Sequence, residues 1–359
     1  MNILLLGGTG VMGRFLAELL LKDTTNQVFV TTRRLLQDCK NKHYLTGDAH
    51  DLVFLNKVLQ REWDVIVDFM SYHTAEFQTR ADLLLRHTKQ YIFLSSSRVY
   101  ALSDQPLTES SPRLLDVSPD SAYLAKDEYA LEKARQEDIL RNNDHFNWTI
   151  IRPYITFGEQ RLQLGVQEKE YWLYRALHGR TIVFSKDIAS KRTTLTWGYD
   201  VARGIHALVG KSEALKETFH ITQPKPYLWS EILETYLDTI EKECGSRPNV
   251  FWQDQSYRLR NRAERYQVLY DRLYDREFDT SKIGRFLDIS TFADPIEKIV
   301  ECLTAFLAHP VFLPFSSREE GYFDFLTHEK TPRNEFISSK RYLIYLLFRY
   351  MNPVVCFWK

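Results

Sequence analysis

Residues 1–15 read MNILLLGGTGVMGRF. An apolar run at 2–6 passes directly into a glycine-rich turn, and an amphipathic helical pattern follows. In a strand, turn and helix, Gly7 permits the turn and Gly10 lets a pyrophosphate approach the backbone at the helix N-terminus. Gly13 lets the helix pack closely on the strand. The G-x-x-G-x-x-G spacing, in this strand-to-helix context, predicts dinucleotide binding rather than a merely glycine-rich turn.

Strand and helix patterns alternate through the first half of the chain. The strand-like runs are continuously apolar and rich in Val and Ile, as parallel strands buried on both faces should be. Amphipathic helical patterns lie between them. This alternation predicts an α/β fold, a Rossmann doubly wound parallel sheet with a smaller C-terminal substrate domain. The five predicted strands are 2–6, 27–32, 63–69, 90–96 and 146–152.

The domain boundaries follow from where the alternation stops. We expect a dinucleotide-binding domain at 1–158, with a return segment near 193–210, and a substrate domain at 159–308. Residues 309–359 are expected to form a linker and a helical extension, because 309–339 are rich in Pro, Gly and charged residues. Within the later part, the stretches 162–179 and 227–243 both have helical patterns.

The composition excludes several classes of protein. Lys+Arg and Asp+Glu both number 47, so the formal net charge is zero, which argues against a general nucleic-acid binder but leaves local patches open. The four cysteines are far apart, without metal-ligand spacing or a disulfide framework. No apolar run reaches the ~18 residues of a membrane span, and no signal peptide is visible. We expect a cytoplasmic protein with reduced thiols.

The end of the second strand bears on cofactor choice. The sequence VFVTTRR, residues 28–34, has Thr32 where many NAD-binding proteins place an acidic residue on the ribose 2′-hydroxyl. Without that carboxylate a 2′-phosphate is not repelled, and Arg33 can pair with it. We therefore expect NADP, with NAD as the alternative; the competing interpretation is that Arg33 and Arg34 are solvated loop residues.

A catalytic pair is suggested by the sequence DEYALEKARQEDIL. Tyr129 and Lys133 stand four apart on a predicted helix and hence on one face. A neighbouring ammonium stabilises a phenolate, which suits Tyr129 to general acid/base work on a sugar hydroxyl or ketone. The pattern also occurs by chance on exposed helices. It gains weight because FLSSSRVY precedes it at a strand end, where doubly wound sheets place ligands.

With these residues the chain resembles the extended short-chain dehydrogenase/reductases, the NAD-dependent epimerase/dehydratase family. The resemblance covers roughly residues 1–300 and rests on jointly specific motifs. They are GGTGVMG, GDAHD at 47–51, SSSRVY with YALEK, IIRPYITFG, TLTWGYDVARGI and FDTSKI. Members of this family act on nucleotide-activated sugars by hydride transfer to and from a nicotinamide cofactor.

The resemblance implies a role for each matching residue. The catalytic set would be Ser96, Tyr129 and Lys133, with Lys133 also holding the ribose hydroxyls. Asp48 would hydrogen-bond the adenine amino group, and Pro153 and Tyr154 would lie near the nicotinamide. The remaining cofactor contacts would be Gly7, Gly10, Val11, Met12, Gly13, Arg33 and Ala49. Weaker candidates for substrate binding are Ser97, Arg192 and Arg272, and no metal ligand is expected.

Three departures from the family pattern bear on the reaction. The 4,6-dehydratases carry an Asp-Glu pair just after the catalytic Ser or Thr, where this chain has Ser97 and Arg98, so dehydration is disfavoured. The fourth strand ends in DFMSYH rather than in small residues, and Asp68 is either a functional carboxylate or a hydrogen-bonded structural one. Ala101 stands where a glycine is usual.

Two functions remain open at this point. The first is an NAD(P)-dependent epimerase or keto-sugar reductase with a nucleotide-sugar substrate and no nucleic-acid partner. The second is a catalytically atypical dinucleotide-binding protein with a regulatory or RNA-associated role. Residues 340–359 are aromatic and basic, and form either a membrane-surface or protein contact or a helix packed on the substrate domain. A homodimer is also left open.

Overall fold

The computed structural model describes residues 1–256 and 265–351. The strands of the described residues are β1 (Asn2–Leu6), β2 (Gln27–Thr32), β3 (Lys42–Thr46), β4 (Trp63–Asp68), β5 (Thr88–Leu94), β6 (Trp148–Pro153), β7 (Ile155–Phe157), β8 (Ile182–Ser185), β9 (Arg192–Thr193), β10 (Leu195–Trp197), β11 (Glu217–Ile221), β12 (Tyr227–Leu228) and β13 (Val250–Gln253). Seven of them form the central sheet, in the order β11-β6-β5-β4-β1-β2-β3, and every neighbouring pair is parallel.

Helices connect the strands and cover the sheet. They are α1 (Val11–Leu20), α2 (Leu52–Val58), α3 (Thr74–Arg86), α4 (Leu114–Val117), α5 (Ser121–Leu124), α6 (Tyr129–Arg141), α7 (Trp172–Leu177), α8 (Lys186–Ala189), α9 (Gly198–Leu208), α10 (Trp229–Cys244), α11 (Arg265–Gln267), α12 (Pro295–Ala308), α13 (Ser317–Thr327) and α14 (Ser339–Tyr350). The predicted doubly wound parallel fold is confirmed, and the five predicted strands are correct to within two residues.

Strand β1 explains why the opening run is apolar throughout. Ile3 and Leu5 point into the core on the side of α1 and α9. Leu4 and Leu6 point into the second core, which contains residues of α2 and α3. All four side chains are fully buried. A strand covered on both faces has no polar side, so alternation disappears from its sequence.

The glycine turn after β1 has three distinct requirements. Gly7 adopts a left-handed φ of +66°, and a Cβ there would lie 2.7 Å from the Sδ of Met70. A Cβ on Gly13 would lie 2.5 Å from the carbonyl oxygen of Gly8, so Gly13 lets α1 approach the turn itself, rather than β1 as the sequence suggested. Gly10 faces open space, with no atom within 4 Å of a Cβ.

The chain divides into two compact units. The first consists of 1–156, 194–225 and 276–294, and it contains the seven-stranded sheet. The return segment expected near 193–210 lies in its second range, which also carries β11. Residues 276–294, assigned to the substrate domain from sequence, belong to this first unit.

The second unit consists of 157–193, 226–275 and 295–359. Its longest helix, α10, lies where a helix was predicted. The helix predicted over 162–179 is wrong for most of its length, because only α7 forms there. Gly165 has a φ of +60°, and Leu164 and Gln167 pair as an isolated β-bridge, so the chain turns before α7 can begin.

The linker predicted over 309–339 is also wrong in part, because α13 occupies its middle. Glu320 and Asp324 of α13 are buried rather than solvated. Each accepts a hydrogen bond from one guanidinium, that of Arg175, at 2.7 and 2.9 Å. Helix α14 then packs on α13, and Tyr345 is its buried residue. The remainder of the predicted extension, 352–359, lies outside the described residues. Across the described ranges, none of the helices has both the length and the apolar character needed to cross a bilayer.

Candidate functional site

The predicted site residues of the first unit gather at the carboxyl ends of the central strands. Strand order reverses between β1 and β4, and ligands of doubly wound sheets bind in the crevice at such a point. Here Gly7 follows β1 and Asp68 ends β4. Ser96 follows β5, and Pro153 ends β6.

The N-terminus of α1 is prepared for an anion. Its N-cap is Gly10, which has no side chain to accept from the first N–H groups of the helix, those of Val11 and Met12, and no other side chain among the described residues does so. Three other helices of this unit are capped by side chains: Asp51 accepts from a backbone N–H of α2, Asp120 from one of α5 and Glu128 from one of α6. Free N–H groups and the helix dipole both favour a negative group at α1. Together with the open space at Gly10, these features fit a dinucleotide pyrophosphate.

Tyr129 and Lys133 lie one turn apart at the start of α6. Tyr129 is the first residue of the helix and is 37% exposed, whereas Lys133 is only 3% exposed. The Lys133 ammonium lies 4.6 Å from the ring centre of Phe93. It forms no hydrogen bond or ion pair with any described residue. Burial lowers the pKa of Lys133 to about 8, and the negative charge of Asp68 is the strongest influence opposing this change. The lysine therefore keeps its charge at neutral pH by a narrow margin.

Asp68 is a hydrogen-bonded carboxylate inside the sheet. Its Oδ2 accepts from the hydroxyl of Tyr91 at 2.7 Å, and its Oδ1 accepts from the backbone N–H of Met70 at 2.9 Å. The hydroxyl of Tyr72 adds a longer contact of 3.3 Å to Oδ1. Burial raises the pKa of Asp68, against the effect of these bonds and of Lys133. The group thus has both a structural role and an electrostatic influence on the lysine.

Ser96 is held between two anchored serines. The hydroxyl of Ser95 donates to Glu137 at 2.6 Å, and that of Ser97 donates to the carbonyl of Arg152 at 2.9 Å. Between them the Ser96 oxygen accepts from the backbone N–H of Arg98 at 3.2 Å. Its own hydroxyl proton has no acceptor among the described residues. Ser97, a weaker candidate for substrate binding from the sequence, is fully buried in this arrangement.

A buried ion pair between Arg152 and Glu137 holds this serine segment in place, because both of its residues accept hydrogen bonds from the anchored serines. Arg152 donates two hydrogen bonds to Glu137, at 2.7 and 2.6 Å, in a bidentate arrangement. Burial alone would raise the pKa of Glu137, but the charge of Arg152 brings it below its usual range. Both side chains are almost inaccessible to solvent. Bidentate pairs fix geometry as well as charge, so the strand ends near Ser95 are rigidly placed.

Arg98 and Glu128 flank the catalytic tyrosine candidate and were missed as a pair in the sequence. The Arg98 guanidinium donates to Glu128 at 2.5 Å and lies 5.1 Å from the ring centre of Tyr129. The other Glu128 oxygen accepts from the hydroxyl of Tyr123 at 3.0 Å. A cation over an aromatic face is attractive, so this group orients Tyr129 at the start of α6. The only signal in the sequence was the acidic residue preceding the YALEK motif.

The expected adenosine contacts lie at the ends of β2 and β3. Arg33 is exposed immediately after β2, and the preceding Thr32 accepts from the backbone N–H of Arg34 at 3.1 Å. Asp48 is exposed after β3, whereas Ala49 is buried.

The predicted nicotinamide contacts differ in exposure from those at the adenosine end. Pro153 is buried at the end of β6. Tyr154 is almost buried, with its ring 5.4 Å from that of Phe278. Met12, at the start of α1, lies against the hydroxyl of Thr156, 4.0 Å from its Sδ.

The two arginines predicted to bind substrate lie in the second unit. Arg192 is exposed, and its backbone N–H donates to Asp275 at 2.7 Å. Arg272 is buried, donates to the carbonyl of Gly165 at 3.0 Å and pairs with Asp271. Its guanidinium is therefore used inside this unit, which weakens its case as a substrate contact.

Three potential metal ligands lie together near the start of α6, and one of them, His73, is distant in the sequence from the other two. Ligand atoms of His73, Asp127 and Glu132 lie within 4.8 Å of one another. His73 is hydrogen-bonded to Glu132 at 2.5 Å, and Asp127 accepts from Thr74 and Arg135. The group stands at the N-termini of α3 and α6, where the dipoles favour carboxylates and disfavour a cation.

A family model described as the NAD dependent epimerase/dehydratase family matches residues 3–222. The chain belongs to this family. The matched range contains the glycine turn, the Ser96 segment and the Tyr129–Lys133 pair, so the family resemblance drawn from those motifs is confirmed.

A curated relative of this epimerase/dehydratase family member comes from Arabidopsis thaliana. The chain is 28% identical over 241 residues to the chloroplast stem-loop binding protein of 41 kDa b. The alignment covers 62% of this chain and 59% of that protein. The chain thus spans less than two thirds of the length of this relative.

Solved structures of the epimerase/dehydratase family share the fold. The UDP-glucuronic acid 4-epimerase of Bacillus cereus, in complex with UDP-glucuronic acid and NAD, superposes with a TM-score of 0.65 at 16% identity, over 87% of this chain and 100% of that one. The dTDP-glucose 4,6-dehydratase of Bacillus anthracis, in complex with NAD, gives 0.64 at 16% identity, over 86% and 97%. An epimerase and a dehydratase match equally well, so the fold does not choose between their reactions.

Proposed function

We propose that this family member is an NADP(H)-dependent epimerase or keto-sugar reductase acting on a nucleotide-activated sugar. The observation that carries the proposal is the buried ammonium of Lys133, unpaired among the described residues, one helical turn from the partly exposed Tyr129. A buried charge without a partner is costly, and a ligand that supplies hydroxyl groups would satisfy it. The similar structures with NAD and UDP-glucuronic acid bound support the same class of ligands.

The residues of the proposed site have distinct roles, and Lys133 has two. The nicotinamide supplies hydride exchange with a sugar carbon. Tyr129 takes the proton from the sugar hydroxyl as that carbon is oxidised, and returns it on reduction. The Lys133 ammonium stabilises the phenolate and donates to ribose hydroxyls. Ser96, whose hydroxyl proton is available, donates to the sugar oxygen. The turn at Gly10 and the uncapped α1 hold the pyrophosphate.

The preference for NADP over NAD rests on the end of β2. Thr32 stands where a carboxylate would exclude a 2′-phosphate, and the exposed Arg33 is available to pair with one. The neighbouring GDAHD segment supports an adenine contact through Asp48.

We propose epimerisation or reduction rather than dehydration. Elimination of water from a sugar needs an acid beside the reacting carbon, and the two positions after Ser96 hold Ser97 and Arg98. Ser97 is buried and bonded to the backbone, and Arg98 is paired with Glu128. Neither group can supply the proton that elimination requires.

The decisive experiment replaces Tyr129 by Phe. Nucleotide sugars and their 4-keto forms are screened by nicotinamide absorbance and by NMR, because an epimerase produces no net absorbance change. We expect Tyr129→Phe to keep the fold and bind cofactor almost normally. Its turnover should fall by about 10²–10⁴-fold, the usual contribution of a positioned acid/base.

Matched variants separate the proposed roles. Tyr199→Phe removes a hydroxyl from helix α9 of the same unit, away from the residues of the proposed site, and should change turnover little. Lys133→Met should weaken both cofactor binding and turnover, whereas Ser96→Ala should lower turnover with a milder effect on the cofactor. If Tyr129→Phe turned over a substrate at the native rate, the proposed mechanism would be wrong.

A second candidate function is RNA binding, favoured by the stem-loop binding protein among the relatives. Against it stands the zero net charge of the chain, since RNA binding generally needs a basic surface. Gel-shift titration with a stem-loop RNA at physiological salt tests this candidate. Tight binding, together with no turnover of any nucleotide sugar, would favour it over the enzyme.

A further inference from the structure

Arg80 is a buried arginine on α3 to which the proposed mechanism gives no role. It is only 2% exposed. One end of its guanidinium donates to Glu76, one turn earlier on the same helix, and the other donates to the backbone carbonyl of His50 at 3.0 Å. The guanidinium also lies 4.7 Å from the ring centre of Tyr72. Arg80 therefore joins α3 to the segments that follow β3 and β4.

The carboxylate of Glu76 reinforces this junction. Its Oε1 accepts from Arg80 and is hydrogen-bonded to the imidazole Nδ1 of His50 at 2.7 Å. Burial alone would raise the pKa of Glu76, but the hydrogen bonds from His50 and Arg80 bring it below its usual range. His50 is thus held twice, through its ring by Glu76 and through its carbonyl by Arg80.

The segment held by this junction is GDAHD, residues 47–51, which carries the proposed adenine contact. At its start, the N–H of Gly47 donates to a carbonyl at the end of β2 at 2.9 Å. Near its end, the carbonyl of His50 accepts from Arg80. Asp48 lies between these two attachments and is exposed, and its Oδ1 accepts from the backbone N–H of His50 at 3.0 Å. No described residue donates to its Oδ2, so this oxygen is available to a ligand.

The placement of the Asp48 carboxylate therefore depends on His50, and that of His50 depends on Arg80. A carboxylate only accepts hydrogen bonds, and the exocyclic amino group of adenine donates them. Such a bond weakens steeply with misalignment, so movement of the GDAHD segment reduces adenine recognition. Because Arg80 is buried, its influence on a bound adenine passes through Asp48.

We propose that Arg80 is a positioning residue for adenine recognition, which holds the GDAHD segment so that Asp48 meets the adenine amino group. The inference rests on the part of the proposed function that assigns Asp48 to adenine, and it depends on neither the sugar nor the reaction. An arginine suits this role because its planar fork reaches two acceptors at once, whereas the single ammonium of a lysine does not reproduce that geometry.

Calorimetric titration with the full chain tests the proposal. The adenine dinucleotide is compared with its hypoxanthine analogue, in which a carbonyl oxygen replaces the amino group, and both are used in the NAD and the NADP form. The native chain should prefer adenine by at least about fivefold, because the analogue sets two acceptors against each other. Arg80→Met should abolish this preference. Arg80→Lys keeps the charge without the fork and should give an intermediate preference.

Asp48→Ala tests whether Arg80 acts through Asp48. Alone, this variant should abolish the preference for adenine. In the Asp48→Ala background, Arg80→Lys should change the preference no further, because residues that act through one contact are not additive. A further loss of preference in the double variant would show that Arg80 acts by another route.

Controls separate adenine recognition from general effects on the fold. Arg86→Met removes an exposed arginine of α3, paired with Asp82, and should keep the native preference. Thermal melting checks that each variant is folded, and if Arg80→Met is not, Arg80→Lys provides the comparison. The native preference in a folded Arg80 variant overturns the proposal, as does equal binding of the two dinucleotides by the native chain.

The outcomes also separate this proposal from the proposed reaction. A chain that recognises adenine through Arg80 but converts no nucleotide sugar keeps this inference and loses the reaction. Turnover of a nucleotide sugar, with an adenine preference that the Arg80 variants leave unchanged, does the reverse. Absence of dinucleotide binding by the native chain overturns both.

Discussion

Two buried clusters of charge in this molecule are compensated in opposite ways. In the second unit, Arg175 donates to Glu320 and Asp324, and a second arginine, Arg180, lies 3.3 Å from Glu320. In the first unit, Lys133 is buried with no direct partner among the described residues. The strongest charge compensating it is that of Asp68, whose own hydrogen bonds come from tyrosine hydroxyls and a backbone N–H.

The difference distinguishes buried charges that stabilise the fold from buried charges that are available to bind a ligand. A buried charge that is fully paired contributes to a unique arrangement of helices, here the attachment of α13 to α7. A buried charge that is paired only through space has a perturbed pKa, and such groups concentrate at functional sites. The variants below test this distinction.

The largest effect is expected from Arg175→Leu. This change leaves Glu320 and Asp324 buried without their main cation, and breaking a buried pair costs about 3–5 kcal/mol. Denaturant unfolding should show the loss of stability in the second unit. Lys186→Met is the matched control, because Lys186 pairs with Asp254 at an exposed site and should cost less than about 1 kcal/mol. An equal loss of unfolding free energy in the two variants would contradict the structural role assigned to Arg175.

Gly13 and Gly10, in the turn after β1, give a second test of the difference between structural and ligand-binding positions. A Cβ on Gly13 meets the Gly8 carbonyl oxygen, so Gly13→Ala should destabilise by about 1–3 kcal/mol through overpacking. Gly10→Ala meets nothing, so its stability loss should stay below about 1 kcal/mol, while its methyl group fills the space proposed for the pyrophosphate. Calorimetry should then show roughly tenfold weaker dinucleotide binding. If Gly10→Ala binds normally, the pyrophosphate is not held there.

Asp68→Asn tests the through-space compensation of Lys133. Burial places the pKa of Lys133 at about 8, so a reaction that needs the ammonium should lose kcat/KM above that pH. Removing the Asp68 charge lowers this pKa further, and the alkaline limb of the pH profile should move to lower pH. On that limb, kcat/KM should fall about tenfold for each pH unit by which the limb moves.

The lowered pKa of Lys133 affects stability in the opposite direction, so deprotonation of this lysine does not itself destabilise the fold. Because the unfolded lysine titrates near 10.5, the unfolded chain binds more protons between pH 8 and 10.5. The Lys133 contribution to stability therefore rises with pH across that window. Asp64→Asn, at the other end of β4, is the control and should leave the limb in place. Identical pH profiles for Asp68→Asn and the native chain would contradict the role of Asp68.

The smallest effect is expected from Arg33→Ala. An exposed arginine on a phosphate contributes about 1 kcal/mol or less, so the preference for NADP over NAD should fall by several-fold. Arg34→Ala is the neighbouring control. Calorimetric titration with both dinucleotides measures the ratio, and tighter binding of NAD by the native chain would overturn the cofactor assignment.

The central strands were predictable because their signal is local. Strands covered on both faces must be apolar throughout, and the turn at Gly7 needs a positive φ. The edge strand β3, KHYLT, escaped detection because it is only half buried and its sequence is polar. The last strand of the sheet, β11, was not recognised either, because its sequence ETFHI is short and mixed in polarity.

The errors in the second unit, and the missed parts of the site, arise from long-range contacts. Charged residues at 309–339 indicated solvent exposure, yet Glu320 and Asp324 find their cation about 150 positions earlier in the chain. Arg98 and Glu128 are likewise 30 positions apart. Tyr129 and Lys133, by contrast, were found because a motif records them within one helical turn.

The first unit is built from three separate segments of the chain, which has a consequence for its synthesis on the ribosome. Strand β11 pairs with β6, yet about 60 residues separate them, and 276–294 come later still. A ribosome adds about 5–20 residues each second, so for several seconds the nascent sheet ends at β6 with its outer N–H and C=O groups unpaired. Such an edge recruits other strands. A fragment that ends at residue 158 would keep that edge permanently, and would depend on a chaperone or aggregate.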